Sequence, residues 1–495
     1  MAIKTQMETF RTLGKVCELN PQTAVECKFG SEAVNVLSAY ASASLSGAEA
    51  GNGEVRYFGK ALFSLVYEDS EKRVCRAEKG VEFTAKVQDE RVYPALTARA
   101  CIAVENVSVR REGASVYLTA LLGADISLFG EYSIEYMADG DFIVKHEPFT
   151  AITAHLCGGA TEAVDEFETD CIGDILLHSE SVNVTDVVCE TGTLRAEGEI
   201  NLGILALKGE NDLVSFERLV PFRVEIPCEE AAFNMSGTAH VSVGGVALRA
   251  EADESRGKCK ITAEFSLNVE GCVYEESSVD GIADAYSKEC KLKLLRGGAD
   301  YCGAGEIVRM TERISGRAAL SSSLDFSDVL QAVTLQRAEA NLVKGADGAR
   351  LEGIELATLL VRGADGSHRG IEISLPFSVP VQVDGDCKVN VFACGTSARQ
   401  RQEGEIEVEA TLKITMQKTR AVHAEFLVGA EEGEPVVESD SAISVYIPRA
   451  GDGLWELSKQ LNKSPEEVAE NNPDIEFPVK EGQRVIIYRK KSLTK

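Results

Sequence analysis

From Gly404 to Gln417 the chain reads GEIEVEATLKITMQ, where Ile406, Val408, Ala410, Leu412, Ile414 and Met416 alternate with Glu405, Glu407, Glu409, Thr411, Lys413 and Thr415. A period of two with one polar row predicts an antiparallel strand covered on a single face. Residues 258–269, KCKITAEFSLNV, repeat it with Ile261, Ala263, Phe265, Leu267 and Val269. A third run, Val116, Leu118, Ala120, Leu122, Ala124 and Ile126, follows the same rule, except that Leu121 falls on the opposite row.

These runs close three larger repeats. VRYFGKALFSLVYEDSEKRVCRAEKGVEF, LRAEGEINLGILALKGENDLVSFERLVPF and ARLEGIELATLLVRGADGSHRGIEISLPF each carry Arg-x-x-Gly, as Arg56/Gly59, Arg195/Gly198 and Arg350/Gly353. From glycine to closing phenylalanine the interval is 24 positions in all three: 59 to 83, 198 to 222 and 353 to 377. Upstream lie the triplets Val34-Asn35-Val36, Val182-Asn183-Val184 and Val333-Thr334-Leu335; downstream lie turn glycines at Gly113, Gly257 and Gly404. Gly/Asp/Asn turns between apolar runs predict hairpins. The fold class predicted is mainly β: three repeated antiparallel β-sandwich or barrel-like domains followed by a small βααβ unit. The divisions fall at 1–140, 141–290 and 291–430, with an acidic linker at 431–442 and the terminal unit at 443–495. The spacers at 136–176 and 277–325 contain GATEAVDEFET and GAGEIVRMTERI, which read as short helices across the sandwich ends. The repeated arginines are expected to lie over a sheet edge or to pair with a nearby acid.

Charge narrows the range of partners. With 79 acidic against 51 basic residues the formal charge is -28, a field that repels phosphate backbones and anionic headgroups, so nucleic acid and membrane surfaces are not expected partners. The first twenty residues have no signal-peptide pattern and no run of 18 apolar residues occurs, which predicts a cytosolic protein without membrane insertion. Fourteen cysteines occur without a C-x-x-C pair and read as buried, reduced thiols.

The last fifty residues follow another rhythm. ISVYI predicts a strand; GDG turns the chain, with Asp452 placed to cap a helix over Leu454, Leu457 and Leu461. Ser464-Pro465-Glu466-Glu467 is a capping box with proline at the first helical position, NNPD stops the second helix, and Arg484 to Tyr488 predicts a second strand. With Gly451-Asp452-x-Leu454-Trp455, Asn472-Pro473 and Gly482-Gln483-x-Val485-x-Ile487, residues 443–489 resemble a LysM domain. Such domains commonly bind N-acetylglucosamine chains, as in peptidoglycan, in a groove between two loops. The resemblance carries that groove onto Gly451, Asp452, Gly453, Leu454, Asn472, Pro473, Asp474 and Ile475. The family usually has Thr or Ser where this chain has Gly453, and the lost hydroxyl removes a sugar hydrogen bond worth about 1 kcal/mol. Trp455, the single tryptophan, is expected to pack between helix and sheet inside the unit, with sugar stacking the competing role.

Acidic β repeats joined to one C-terminal LysM unit resemble, over about residues 30–430, the SPOCS-domain proteins of spore-forming Firmicutes, of the SipL type. That resemblance implies a sporulation scaffold in the mother-cell cytoplasm at the forespore surface, whose LysM unit holds a coat-morphogenetic ATPase and whose body meets other coat proteins. Tethered domains raise the effective concentration of each partner. Binding of N-acetylglucosamine glycans is the alternative. The terminal unit holds nine basic and eight acidic residues, net +1, so the body carries -29.

An enzyme finds little footing. His146, His155, His178, His240, His368 and His423 are dispersed without metal-ligand spacing, and neither a phosphate-cradling G-x-x-x-x-G-K-[ST] loop nor a G-x-S-x-G elbow occurs. Neither catalytic residue nor cofactor is predicted.

Overall fold

The computed structural model describes all residues except 1–3, 31–32, 114, 254, 319–328, 346–347, 384, 401–404, 437–442 and 489–495, and it is mainly β. Turn glycine Gly404 and the linker positions 437–442 lie outside the described residues. In the first third, β1 (Thr5–Leu19) and β2 (Gln22–Phe29) both pair with the long β7 (Ser115–Gly140), while β6 (Thr97–Glu112) pairs along its other edge. Between them β3 (Asn35–Ala50), β4 (Glu54–Glu68) and β5 (Val74–Gln88) form a three-stranded meander.

The same pairing recurs twice. β8 (Ile143–Asp170), β13 (Lys258–Tyr286) and β12 (Ser236–Asp253) make one sheet; β9 (Ile175–Glu190), β10 (Thr193–Lys208) and β11 (Asp212–Pro227) make the meander. Next, β14 (Cys290–Ala318), β19 (Ile406–Pro435) and β18 (Cys387–Gln400) form a sheet beside the meander β15 (Val329–Gly345), β16 (Gly348–Arg362) and β17 (His368–Val381). β19 thus continues to Pro435, into the stretch read as linker.

The fixed glycine-to-phenylalanine interval has a geometric cause. Gly59 pairs with Phe83, Gly198 with Phe222 and Gly353 with Phe377 across the hairpins β4–β5, β10–β11 and β16–β17. A Cβ on Gly198 would stand 2.2 Å from the Asn183 carbonyl oxygen and 2.6 Å from the Phe222 ring; on Gly59 it would stand 2.1 Å from the Ser44 carbonyl oxygen. The neighbouring strand bulges at these points and brings its backbone over the glycine, leaving no room for a side chain. The nearby arginines are used locally: Arg56 pairs with Glu49 at 2.7 Å, Arg195 with Glu190, and Arg350 donates to the Ser378 hydroxyl at 2.9 Å.

Each pair of sheets closes over its own core, for example Tyr57, Phe63 and Leu118 in the first and Ile200, Phe265 and Leu267 in the second. Two further clusters draw on all three sets. Leu37, Val66, Leu177, Leu205 and Leu360 meet where the meanders converge, and Tyr136, Phe149, Tyr301 and Phe426 meet along the extended ends of the long strands. The first and third sets also share a buried pair, His368 Nδ1 and Glu68 Oε2 at 3.2 Å.

Two expectations are corrected. GATEAVDEFET and GAGEIVRMTERI are not helices but parts of β8 and β14. Both strands form ladders with β13 and β19 from Ile143↔Tyr286 to Asp170↔Lys258 and from Cys290↔Pro435 to Ala318↔Ile406, and those hydrogen bonds outweigh local helix propensity. The cysteines are free, but Cys171 and Cys302 are exposed and Cys75, Cys101, Cys290 and Cys387 only half-buried, rather than buried.

Candidate partner-binding site in the C-terminal module

After the body come β20 (Ile443–Tyr446), α1 (Leu454–Leu461), α2 (Pro465–Asn471) and β21 (Val485–Tyr488), with β20 and β21 paired antiparallel. Leu457, Val468, Val479, Val485 and Ile487 form its core. α2 starts as expected from its residues: the Ser464 hydroxyl accepts from the Glu467 N–H at 3.3 Å, and the Glu467 carboxylate accepts from the Ser464 N–H at 3.1 Å. α1 does not. Gly453 is its N-cap and makes no side-chain bond, while the Asp452 carboxylate turns back to accept from the Arg449 N–H at 2.9 Å. The shorter turn competes successfully for that carboxylate.

The eight predicted groove residues have divided roles. Asn472 is buried and structural: its amide donates to the Val468 and Ile486 carbonyls, both at 2.8 Å, and accepts from the Ile486 N–H at 2.7 Å. Leu454 and Ile475 are brought together against the core. Gly451 adopts φ +95°, where glycine is favoured, and its N–H donates to the Val479 carbonyl at 2.9 Å. Gly451, Pro473 and Asp474 are exposed, with Asp452 and Gly453 half-buried beside them.

Trp455 departs from its expected place in the module's core. Its indole N–H donates to Asp284 Oδ2 at 2.9 Å, and its ring meets Tyr286 edge-on at 5.1 Å between centroids. Lys459 Nζ adds a 2.5 Å contact to Asp284 Oδ1, the Tyr286 hydroxyl donates to the Lys463 carbonyl at 2.6 Å, and Lys288 pairs with Glu467 at 2.9 Å. The helical side of the module is thereby docked onto the turn between β13 and β14. Burial alone would raise the Asp284 carboxyl, but the bonds from Lys459 and Trp455 outweigh it and hold the group below the usual carboxylate range.

The opposite side of the module carries residues that sequence reasoning missed. Ile443, Val445, Ile447 and Tyr488 are 58%, 57%, 70% and 53% exposed. Alternation in β20 was the available signal, but it points the other way: the wholly apolar row Ile443, Val445 and Ile447 reads as core-facing and is exposed, while Ser444, Tyr446 and Pro448 are the more buried row. Elsewhere, a cavity of about 360 Å³ lies between the three sets, lined by the Arg99–Glu270 ion pair, Cys272 and Tyr274. Burial pushes the Cys272 thiol up to about 12, so it stays protonated and poorly nucleophilic at neutral pH. Among the described residues no group of three His, Cys, Asp or Glu side chains could hold a metal ion, and no helix is long and apolar enough to cross a membrane.

No family model matches the chain, and no curated protein matches it.

Proposed function

We propose that this chain is a non-enzymatic scaffold of spore-envelope assembly. In this reading three SPOCS-like β domains form a frame at the forespore surface in the mother-cell cytoplasm, and a LysM-type module holds a protein, the coat-morphogenetic ATPase being the partner that the resemblance implies. The observation that supports protein over glycan is the commitment of Trp455. A tryptophan that stacks on a sugar stands at the groove, and the module's only tryptophan is instead tied to the body by Asp284 and Tyr286. Gly453, lacking a hydroxyl, weakens the glycan reading further. The apolar outer row of β20 offers a protein contact instead. Purification of the tagged full chain from sporulating cells is expected to bring down a coat-assembly ATPase; recovery of wall fragments without any such protein would overturn the proposal.

A further inference from the structure

A second cavity, of about 220 Å³, adjoins the one lined by Arg99 and Glu270 and shares Ile102, Val182 and His240 with it. All three sets contribute to it: β3 and β6 from the first, β9, β10 and β12 from the second, β15, β16 and β18 from the third. The two cavities differ in charge. Lys15, Arg99, Lys388 and Lys418 line the larger one, whereas among the described residues no lysine or arginine lines the smaller. It carries instead one glutamate from each set, Glu105, Glu180 and Glu355. Ala39, Ala41, Val243, Leu356 and Phe392 add apolar wall.

The repeats show which of these residues the fold does not require. Asn201 stands three positions after Gly198, and the same position after Gly59 and Gly353 is a leucine, Leu62 and Leu356. Glu355 stands two positions after Gly353, where the other repeats have Ala61 and Ile200, both fully buried. Asn201 is 7% exposed; its amide N–H donates to the Ala393 carbonyl at 3.0 Å, but its Oδ1 has no hydrogen-bond partner. A buried acceptor left unsatisfied costs stability, and leucine at this position would avoid the cost. Glu355 is 0% exposed, so a carboxylate stands where packing asks for an apolar side chain. Both departures from the repeat pattern line the same cavity.

We propose that this cavity binds an aliphatic polyamine. An ammonium group is all donor and no acceptor, which matches a wall of carboxylates and one open amide oxygen, and the methylene chain between ammonium groups fits the alanine, valine, leucine and phenylalanine side chains. Glu105 accepts one bond from Gln22 at 2.7 Å and Glu180 Oε2 lies 3.3 Å from His178 Nδ1, and a carboxylate has sites for further donors. A phosphate or carboxylate ligand would meet like charge from all three sets. The inference concerns the body alone and goes beyond the scaffold reading: a ligand bound where the three sets meet stabilises their assembly.

Isothermal titration of the full chain with spermidine in about 0.2 M sodium chloride is the test, because loose binding to a surface of charge -28 weakens in salt while a buried site is screened much less. We expect one spermidine per chain and a raised melting temperature of the body. Magnesium chloride at equal charge, and octane-1,8-diol, an uncharged chain of similar length, should reproduce neither effect. Asn201→Leu should weaken binding about tenfold or more while the ligand-free chain melts at the same temperature or higher. Should that variant fail to fold, Glu355→Gln, which keeps the shape and removes the charge, is expected to weaken binding as much. Glu147→Gln, the same change at an exposed position of β8 outside the cavity, should leave binding intact. Absence of binding at millimolar spermidine, equal binding of magnesium or the diol, more than one spermidine per chain, or undiminished affinity in Asn201→Leu or Glu355→Gln would each overturn the polyamine site. None of these results touches the scaffold reading, which fails only if no protein is recovered with the full chain.

Discussion

Within the body, neighbouring sets of sheets meet through buried side chains such as Leu37, Leu205 and Leu360, or Tyr136, Phe149 and Phe426. The module instead meets the body through Asp284, Tyr286 and Lys288, a contact of one aromatic pair and a few charged hydrogen bonds. Apolar burial scales with area and is insensitive to pH and salt, whereas a junction built on one carboxylate depends on that group's charge state. The frame is therefore expected to unfold as a unit, and the head to detach without disturbing it.

The sharpest break in that contrast comes from Leu205→Ala. Leu205 is 1% exposed in the cluster shared by the three meanders, and truncating a buried leucine costs about 2–5 kcal/mol. The main thermal transition should drop, with the tryptophan emission of the folded chain unchanged. Asp284→Ala should do the reverse. It leaves the Trp455 N–H and the Lys459 ammonium without their acceptor, at a cost of about 1–3 kcal/mol to the junction. Red-shifted emission from the single tryptophan, with the body's melting unaltered, is the expected readout.

Acidification sharpens the comparison without mutation. Because Asp284 is held below its usual range in the folded chain, the stability it contributes is present above about pH 4 and lost as pH falls through its depressed value. Tryptophan emission should shift to the red in that acid window before the β signal in circular dichroism changes, and the shift should be missing in Asp284→Ala. The smallest effect belongs to Lys288→Ala. Its pair with Glu467 has both side chains more than 40% exposed, so the loss should be about 0–1 kcal/mol and should shrink further in salt.

The body was legible in its sequence where local and cross-strand order coincide. A hairpin of constant length keeps Gly198 opposite Phe222 and Gly353 opposite Phe377, so the interval survives as a countable spacing. β8 and β14 were illegible because each takes its ladder from a strand about a hundred residues away, and local composition in GATEAVDEFET says nothing of that partner. The module's capping box was readable because Ser464 and Glu467 are three positions apart. Its docking was not: Asp284 and Trp455 are 171 positions apart, and nothing near either residue signals the other. Of the groove residues, Asn472 was placed on the right loop, but its hydrogen bonds to Ile486 make it a strut of the fold.

Co-sedimentation of the full chain with insoluble peptidoglycan tests the central claim most directly. With Trp455 engaged by Asp284 and Tyr286, the account predicts that the chain remains in the supernatant. Sedimentation that N-acetylglucosamine oligomers compete away, and that Trp455→Ala abolishes, would contradict it.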